Sequence, residues 1–399
     1  MNNLKETLMA HISEKHIIEM ASDMIRIPSY CGVPNQETEV AKYVKSVFEA
    51  NGIPCYLKEV ADGRCNVIAT LDSGKPGKTM MFNSHLDTVE PNGWEDALVP
   101  KIIDGSLYGR GSNDDKGPLA CVIEAMLAIQ KTGALEKGKI VLTGVLDEEH
   151  NSIGTIDVVE SKIAADGAIV AESTNLRIQT AQRGLEWLKF HFIGKAVHGG
   201  KQREGINAIA KAVAFINAME ETLIPKVFAR THPLLKEATV NYGVIHGGTQ
   251  LSTVAGECDL YVDTRFLPDQ EYADVIGEFQ ELLDELAAQD PQFKCEMSVC
   301  EESVMKDGYL HLPFETPLDH PLVTTTQEAF RTVAGKEAEM GACCAWTDGG
   351  LLARYANIPT IVLGLGGEGA HATGEHVPIE QFVPTALIYA LTAVEFCGS

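Results

Sequence analysis

The chain has little positive charge. Its 32 lysines and arginines face 56 aspartates and glutamates, for a net charge of −24 at pH 7. A basic face for nucleic acid or an anionic membrane is therefore not expected. Long apolar runs are also scarce, and none approaches the roughly 20 consecutive apolar residues of a spanning helix. The amino terminus, Met1-Asn2-Asn3-Leu4-Lys5-Glu6, lacks the charged-then-apolar layout of a secretion signal. None of the ten cysteines stands in Cys-x-x-Cys spacing, which points to reduced thiols in a cytoplasmic setting. Internal repeats, heptads and low-complexity segments are missing. At 399 residues the chain exceeds one ordinary core, so two domains are expected.

What the chain does contain is a series of metal-type side chains: His85, Asp87, Asp114, Glu148, Glu149, Glu172 and His371. Most follow a short apolar run that reads as a buried strand. Residues 79–83 lead to Ser84-His85-Leu86-Asp87, residues 140–146 to Asp147-Glu148-Glu149, and residues 167–171 to Glu172. Residues 360–364 run into a glycine-rich turn before His371, and Asp114 lies in the glycine-rich loop 109–117, which opens a helix from Pro118 to about Lys131. Carboxyl ends of strands in open α/β sheets face the crevice where ligands bind. One rim would thus receive histidines and carboxylates together.

Zinc accepts imidazole nitrogen and carboxylate oxygen, and a catalytic site keeps a position open for water. Two adjacent ions need about two terminal ligands each and a shared carboxylate. His85 and Glu172 suit one ion, Glu149 and His371 the other, and Asp114 the bridge. Asp87, two residues beyond His85, suits a position behind the imidazole, where it would hold the metal-binding tautomer. Adjacent side chains at a strand end point apart, so Glu148 cannot share its neighbour's task and becomes the general base. Singly, each feature has a plainer explanation: a His-x-Asp hydrogen bond, a solvated pair of glutamates, a meaningless Gly-x-Gly. Their joint placement at strand ends favours the metal site.

Residues 1–182 alternate helical and strand patterns, with helices near 13–26 and 36–51, as in an α/β domain with a mostly parallel sheet. From Arg183 the pattern changes to β-α-β-β-α-β, the ferredoxin-like order. The expected organisation is a catalytic domain of residues 1–182 and 304–399, interrupted by a lid or dimerisation domain of residues 183–303. His198, in Gly194-Lys195-Ala196-Val197-His198-Gly199-Gly200, lies in a loop of that insertion.

The stretches Ser84-His85-Leu86-Asp87-Thr88-Val89, residues 109–117, Asp147-Glu148-Glu149, Ala171-Glu172-Ser173-Thr174 and Gly369-Ala370-His371-Ala372-Thr373-Gly374-Glu375 resemble one superfamily. It comprises acetylornithine deacetylase, succinyl-diaminopimelate desuccinylase, carboxypeptidase G and aminoacylase, which are co-catalytic zinc amidohydrolases and exopeptidases. The resemblance implies the same ligand roles, and Glu172 is similar to the deacetylase, desuccinylase and carboxypeptidase branches. It further implies that His198 stabilises an oxyanion, often in a partner subunit's site, and that Arg265 binds a substrate carboxylate. A surface ion pair is the other reading of Arg265. The chain departs from the pattern at Ser252, Ala255 and Gly374, where relatives commonly carry Asn, Pro and Asn.

The expected activity is hydrolysis of the amide bond of an N-acyl-amino acid, with a dipeptidase or carboxypeptidase as the alternative. The expected cofactors are two divalent ions, Zn²⁺ foremost, with Co²⁺ or Mn²⁺ as substitutes. The expected assembly is a homodimer through the insertion.

Overall fold

A computed structural model describes residues 1–399. The chain divides into two compact units. One comprises Met1–Ala181, Glu315–Cys343 and Thr347–Ser399; the other comprises Gln182–Phe314 and Cys344–Trp346.

The first unit is built on a nine-stranded sheet. Its centre is parallel. Strand Thr79–His85 lies between Lys139–Val145 and Gly167–Val170, and Thr360–Val362 continues beside Gly167–Val170. Near-continuous burial along Thr79–His85 and Lys139–Val145 is what a parallel strand covered on both faces requires. The flanks are antiparallel: Cys55–Ala61 pairs with Arg64–Asp72, which pairs with Lys139–Val145, and Ile178–Gln182 pairs with Thr360–Val362 on the far side. The parallel arrangement read from the sequence therefore holds in the middle of the sheet and gives way at its edges.

Helix Lys116–Thr132 is buried continuously from Lys116 to Ile129 and ends at Gly133, whose φ of 65° supplies the left-handed turn that glycine adopts without cost. A helix apolar on every side belongs inside a core, where each large aliphatic side chain contributes about 1.5–3 kcal/mol. Glu124 is the one acid along it, and it is buried and paired. Its carboxylate accepts from Ser13 N at 2.7 Å and meets His16 Nδ1 at 2.6 Å, tying helix Glu14–Arg26 to the core. The C-terminal segment Ile379–Gly398 qualifies the sequence reading of apolar runs. By length and composition it could cross a membrane, yet it is 67% buried within the protein, packed as a core helix.

The second unit is a four-stranded antiparallel sheet. Strand Gly184–Ile193 is flanked by Glu257–Phe266 and Cys295–Val299, and Thr239–Gly247 forms one edge. Helices Ala208–Ala218 and Tyr272–Gln289 complete the ferredoxin-like element order. Burial alternates along Glu257–Phe266, as expected for a sheet covered on one face. Phe190 meets Phe215 and Phe279 at ring-centroid distances of 4.7 and 5.8 Å beneath that cover.

Candidate metal centre

Parallel pairing sets the site. His85 is the partner of Val145, and Asn83 of Val170, so the residues that follow these strands emerge along one edge of the sheet. That edge receives His85 itself, the turn carrying Glu148 and Glu149, and Glu172. The turn after Thr360–Val362 delivers His371 to the same place.

Two ligand groups form there and share one residue. His85, Asp114 and Glu172 make the first, and Asp114, Glu149 and His371 the second, with ligand atoms in each group within 4.8 Å of one another. Asp114 turns one oxygen to each side: Oδ1 is 2.8 Å from His85 Nε2, and Oδ2 is 3.3 Å from His371 Nε2. Glu172 Oε1 lies 3.7 Å from His85 Nε2, and Glu149 Oε2 lies 3.0 Å from His371 Nε2. A carboxylate spanning two imidazoles in this way has the geometry of a bridging ligand.

Asp87 lies behind the His85 imidazole with both its main chain and its side chain. His85 Nδ1 is 3.1 Å from the Asp87 backbone oxygen and 3.4 Å from its carboxylate. The carbonyl is therefore the nearer partner fixing the tautomer. The Asp87 carboxylate also accepts from the backbone N–H of Glu148 at 3.2 Å and of Glu149 at 3.0 Å. Asp87 thus backs the imidazole with its carbonyl and, slightly farther off, its carboxylate, while the same carboxylate holds the neighbouring turn.

Sequence reasoning passed over the group that holds the Asp114 loop. The buried Glu375 carboxylate accepts from Gly111 N, Asn113 N and Asp114 N, each at 3.0 Å, and pairs with buried Arg110 at 2.7 Å. The Asp114-Asp115 peptide is cis, and Ser84 Oγ donates to the Asp115 carboxylate. Asp348, also passed over, is buried and accepts from Thr155 Oγ1 at 2.7 Å.

Electrostatics favour a cation at this edge. Desolvation, reinforced by Glu172, holds the Glu148 carboxyl well above the usual carboxylate range. Desolvation also pushes Glu172 up to about 8, against the opposing pull of His85. Burial alone would raise Asp114, but hydrogen bonds from His371 and His85 keep it low. Hydrogen bonds to Asp114 and Glu149 push His371 up to about 10. Glu149 Oε1 is buried without a hydrogen-bond partner. Mutually repelling carboxylates, an orphaned oxygen and two imidazoles make a donor set that fits two divalent ions.

The other two predicted residues lie in the second unit. His198 is exposed. Its main chain pairs with Thr253, and its Nδ1 accepts from Gly200 N at 3.2 Å, so Nε2 carries the proton. Arg265 is engaged by its own strand: Nε donates to Asp263 Oδ1 at 2.7 Å and Nη2 to Oδ2 at 2.8 Å. The fork expected to bind a substrate carboxylate already holds a protein carboxylate.

An open α/β sheet whose strand ends carry two ligand groups sharing one aspartate is the architecture of a dinuclear metal-dependent hydrolase. The chain belongs to peptidase family M20/M25/M40, whose sequence pattern matches residues 81–395. It is 26% identical to the N-formyl-4-amino-5-aminomethyl-2-methylpyrimidine deformylase of Bacillus subtilis, over 96% of this chain and 95% of that one. A probable succinyl-diaminopimelate desuccinylase of Staphylococcus aureus is 26% identical over 70% of this chain and 75% of its own. The crystal structure of a tripeptidase from Staphylococcus aureus shares the fold, with a TM-score of 0.81 and 23% identity over 98% of this chain and 100% of that one. The protein is thus an enzyme of the hydrolase class acting on amide or peptide bonds.

Proposed function

We propose that this enzyme cleaves the amide bond of N-acyl-amino acids with two Zn²⁺ ions held by His85, Asp114, Glu149, Glu172 and His371. The observation that carries the metal assignment is Asp114, whose two oxygens face two different histidines. Bound there, the ions would lower the pKa of the attacking water and polarise the scissile carbonyl. Glu148 takes a proton from that water and delivers it to the leaving nitrogen. Burial and the neighbouring Glu172 raise its carboxyl above the usual carboxylate range, the direction that helps it hold the proton it must return. Asp87 holds the Glu148 amide and so fixes the turn from which the base projects.

His198 serves as the oxyanion donor in this reading, since its Nδ1 is already an acceptor and its Nε2–H is available. Arg265 can take a substrate carboxylate only in competition with Asp263. Dimerisation is assigned to the second unit, where the edge strand Thr239–Gly247 exposes Val244 and Ile245. Ten free cysteines support a reducing, cytoplasmic setting.

A deacylase is preferred to a peptidase because the deformylase and desuccinylase relatives both remove an acyl group, as their names state. The test is amine release by the zinc-loaded protein from N-formyl, N-acetyl and N-succinyl amino acids beside unblocked dipeptides and tripeptides. Turnover of acylated substrates is expected, and turnover confined to unblocked peptides would overturn the deacylase reading.

A further inference from the structure

A second group of metal-type side chains lies outside the dinuclear centre. Cys31 Sγ, a Glu90 carboxylate oxygen and a His150 ring nitrogen all fall within 4.8 Å of one another. They come from three different loops of the first unit. Cys31 follows helix Glu14–Arg26, Glu90 follows strand Thr79–His85, and His150 sits in the turn after strand Lys139–Val145. Three unrelated loops have to converge for these side chains to meet.

The convergence is held by the backbone. Thr88 N donates to Ser29 O at 3.4 Å, which joins the first two loops. Arg110 Nη2 donates to Glu90 O at 3.3 Å from a guanidinium already fixed by Glu375. His150 N, Asn151 N and Ser152 N all donate to Asp147 O, and Asp147 itself is gripped by Arg64 at 2.6 Å. The main chain beneath each ligand is thus positioned, while Cys31 and His150 remain exposed and able to rotate. Ligands on one zinc ion lie roughly 3.3–3.8 Å apart, so small side-chain rotations close the set.

We propose that Cys31, Glu90 and His150 form a third metal site that takes a thiophilic divalent ion, Zn²⁺ above all. Sulfur, nitrogen and oxygen each supply one ligand, leaving a fourth position for water. The site differs chemically from the dinuclear centre, which contains no sulfur. Binding releases the thiol proton of Cys31 to solvent and needs no oxidant.

The sulfur ligand makes the site separately visible. Protein loaded with two equivalents of Zn²⁺ is titrated with Co²⁺, and one further equivalent is expected to bind with a near-ultraviolet thiolate-to-cobalt charge-transfer band. Exchange of Co²⁺ into the dinuclear centre cannot produce that band, because none of its ligands is a thiolate. Cys31→Ser should abolish the band while retaining two zinc ions and full turnover. His150→Ala should weaken the Co²⁺ equivalent by about tenfold or more. Absence of the band in the unmodified protein overturns the site, and so does a band that survives Cys31→Ser, which would trace it to another cysteine such as exposed Cys344.

Discussion

Glu375 Oε1 accepts the backbone N–H of Asp114 at 3.0 Å, so a fully buried carboxylate sets the position of the shared metal ligand. The same oxygen takes the N–H groups of Gly111 and Asn113, while Oε2 meets Arg110. A glycine-rich loop is held in one conformation by a residue 265 positions from its arginine partner. The loop's stability and the metal geometry therefore depend on one side chain.

Replacing Glu375 by Ala leaves Arg110 buried and unpaired and strips three backbone amides of their acceptor. Losing one member of a buried ion pair costs about 3–5 kcal/mol. Urea unfolding of the Glu375→Ala protein is expected to show a loss of that size. A change below about 1 kcal/mol would place the loop's support elsewhere.

Glu148→Gln removes the base and keeps the shape of the turn. Turnover is expected to fall by about 10²–10⁴-fold, the range supplied by general acid–base catalysis. Metal analysis should still find two ions per chain. Activity within a few-fold of the original would exclude Glu148 as the proton carrier.

His371→Ala should lose the ion of the second ligand group and keep that of the first, which uses His85, Asp114 and Glu172. Equilibrium dialysis followed by elemental analysis would then count one tightly held ion. Two ions of unchanged affinity would remove His371 from the ligand set.

His311 predicts an acid-dependent loss of stability. It is 7% exposed, stacks edge-on against Trp346 and has a buried Nδ1 without a partner. Burial, with the Arg265 guanidinium adding to it, pushes the imidazole down from 6.5 to about 4. The unfolded chain then binds a proton that the folded chain refuses between these values, so stability falls as pH drops from about 6.5 to 4. The loss is on the order of 3 kcal/mol. His311→Leu should flatten this part of the pH–stability curve in urea titrations, whereas an unaltered slope would discount His311.

The candidate ligands were legible because all but Asp114, which lies in a glycine-rich loop, follow a strand signal and belong to residue types with few alternatives at such a place. Helices were legible where caps and breakers framed them, as with Ser13 and Gly133. Helix Asn2–Met9 lacks a side-chain cap and went unread. The antiparallel strands Cys55–Ala61 and Arg64–Asp72 also went unread, although they form a hairpin across Asp62-Gly63, a turn pair legible in sequence; only the pairing of Arg64–Asp72 with Lys139–Val145 joins distant residues. Glu375 stood in the quoted motif, yet its role requires knowing that Arg110 and three amides surround it. The ion pair that was the other reading of Arg265 is the one observed, with Asp263, one residue removed on the same face of a strand, as its partner.

The order of ligands along the chain has a biosynthetic meaning. His85, Asp114 and Glu172 all precede the second unit, whereas His371 follows it, in the turn after the last parallel strand of the sheet. A growing polypeptide has every ligand of the first group once residue 172 is made. The second group remains a ligand short until His371 is made, and Glu375, which holds the Asp114 loop shared by both groups, comes later still, so neither half of the centre has its full support until the last parallel strand has been made.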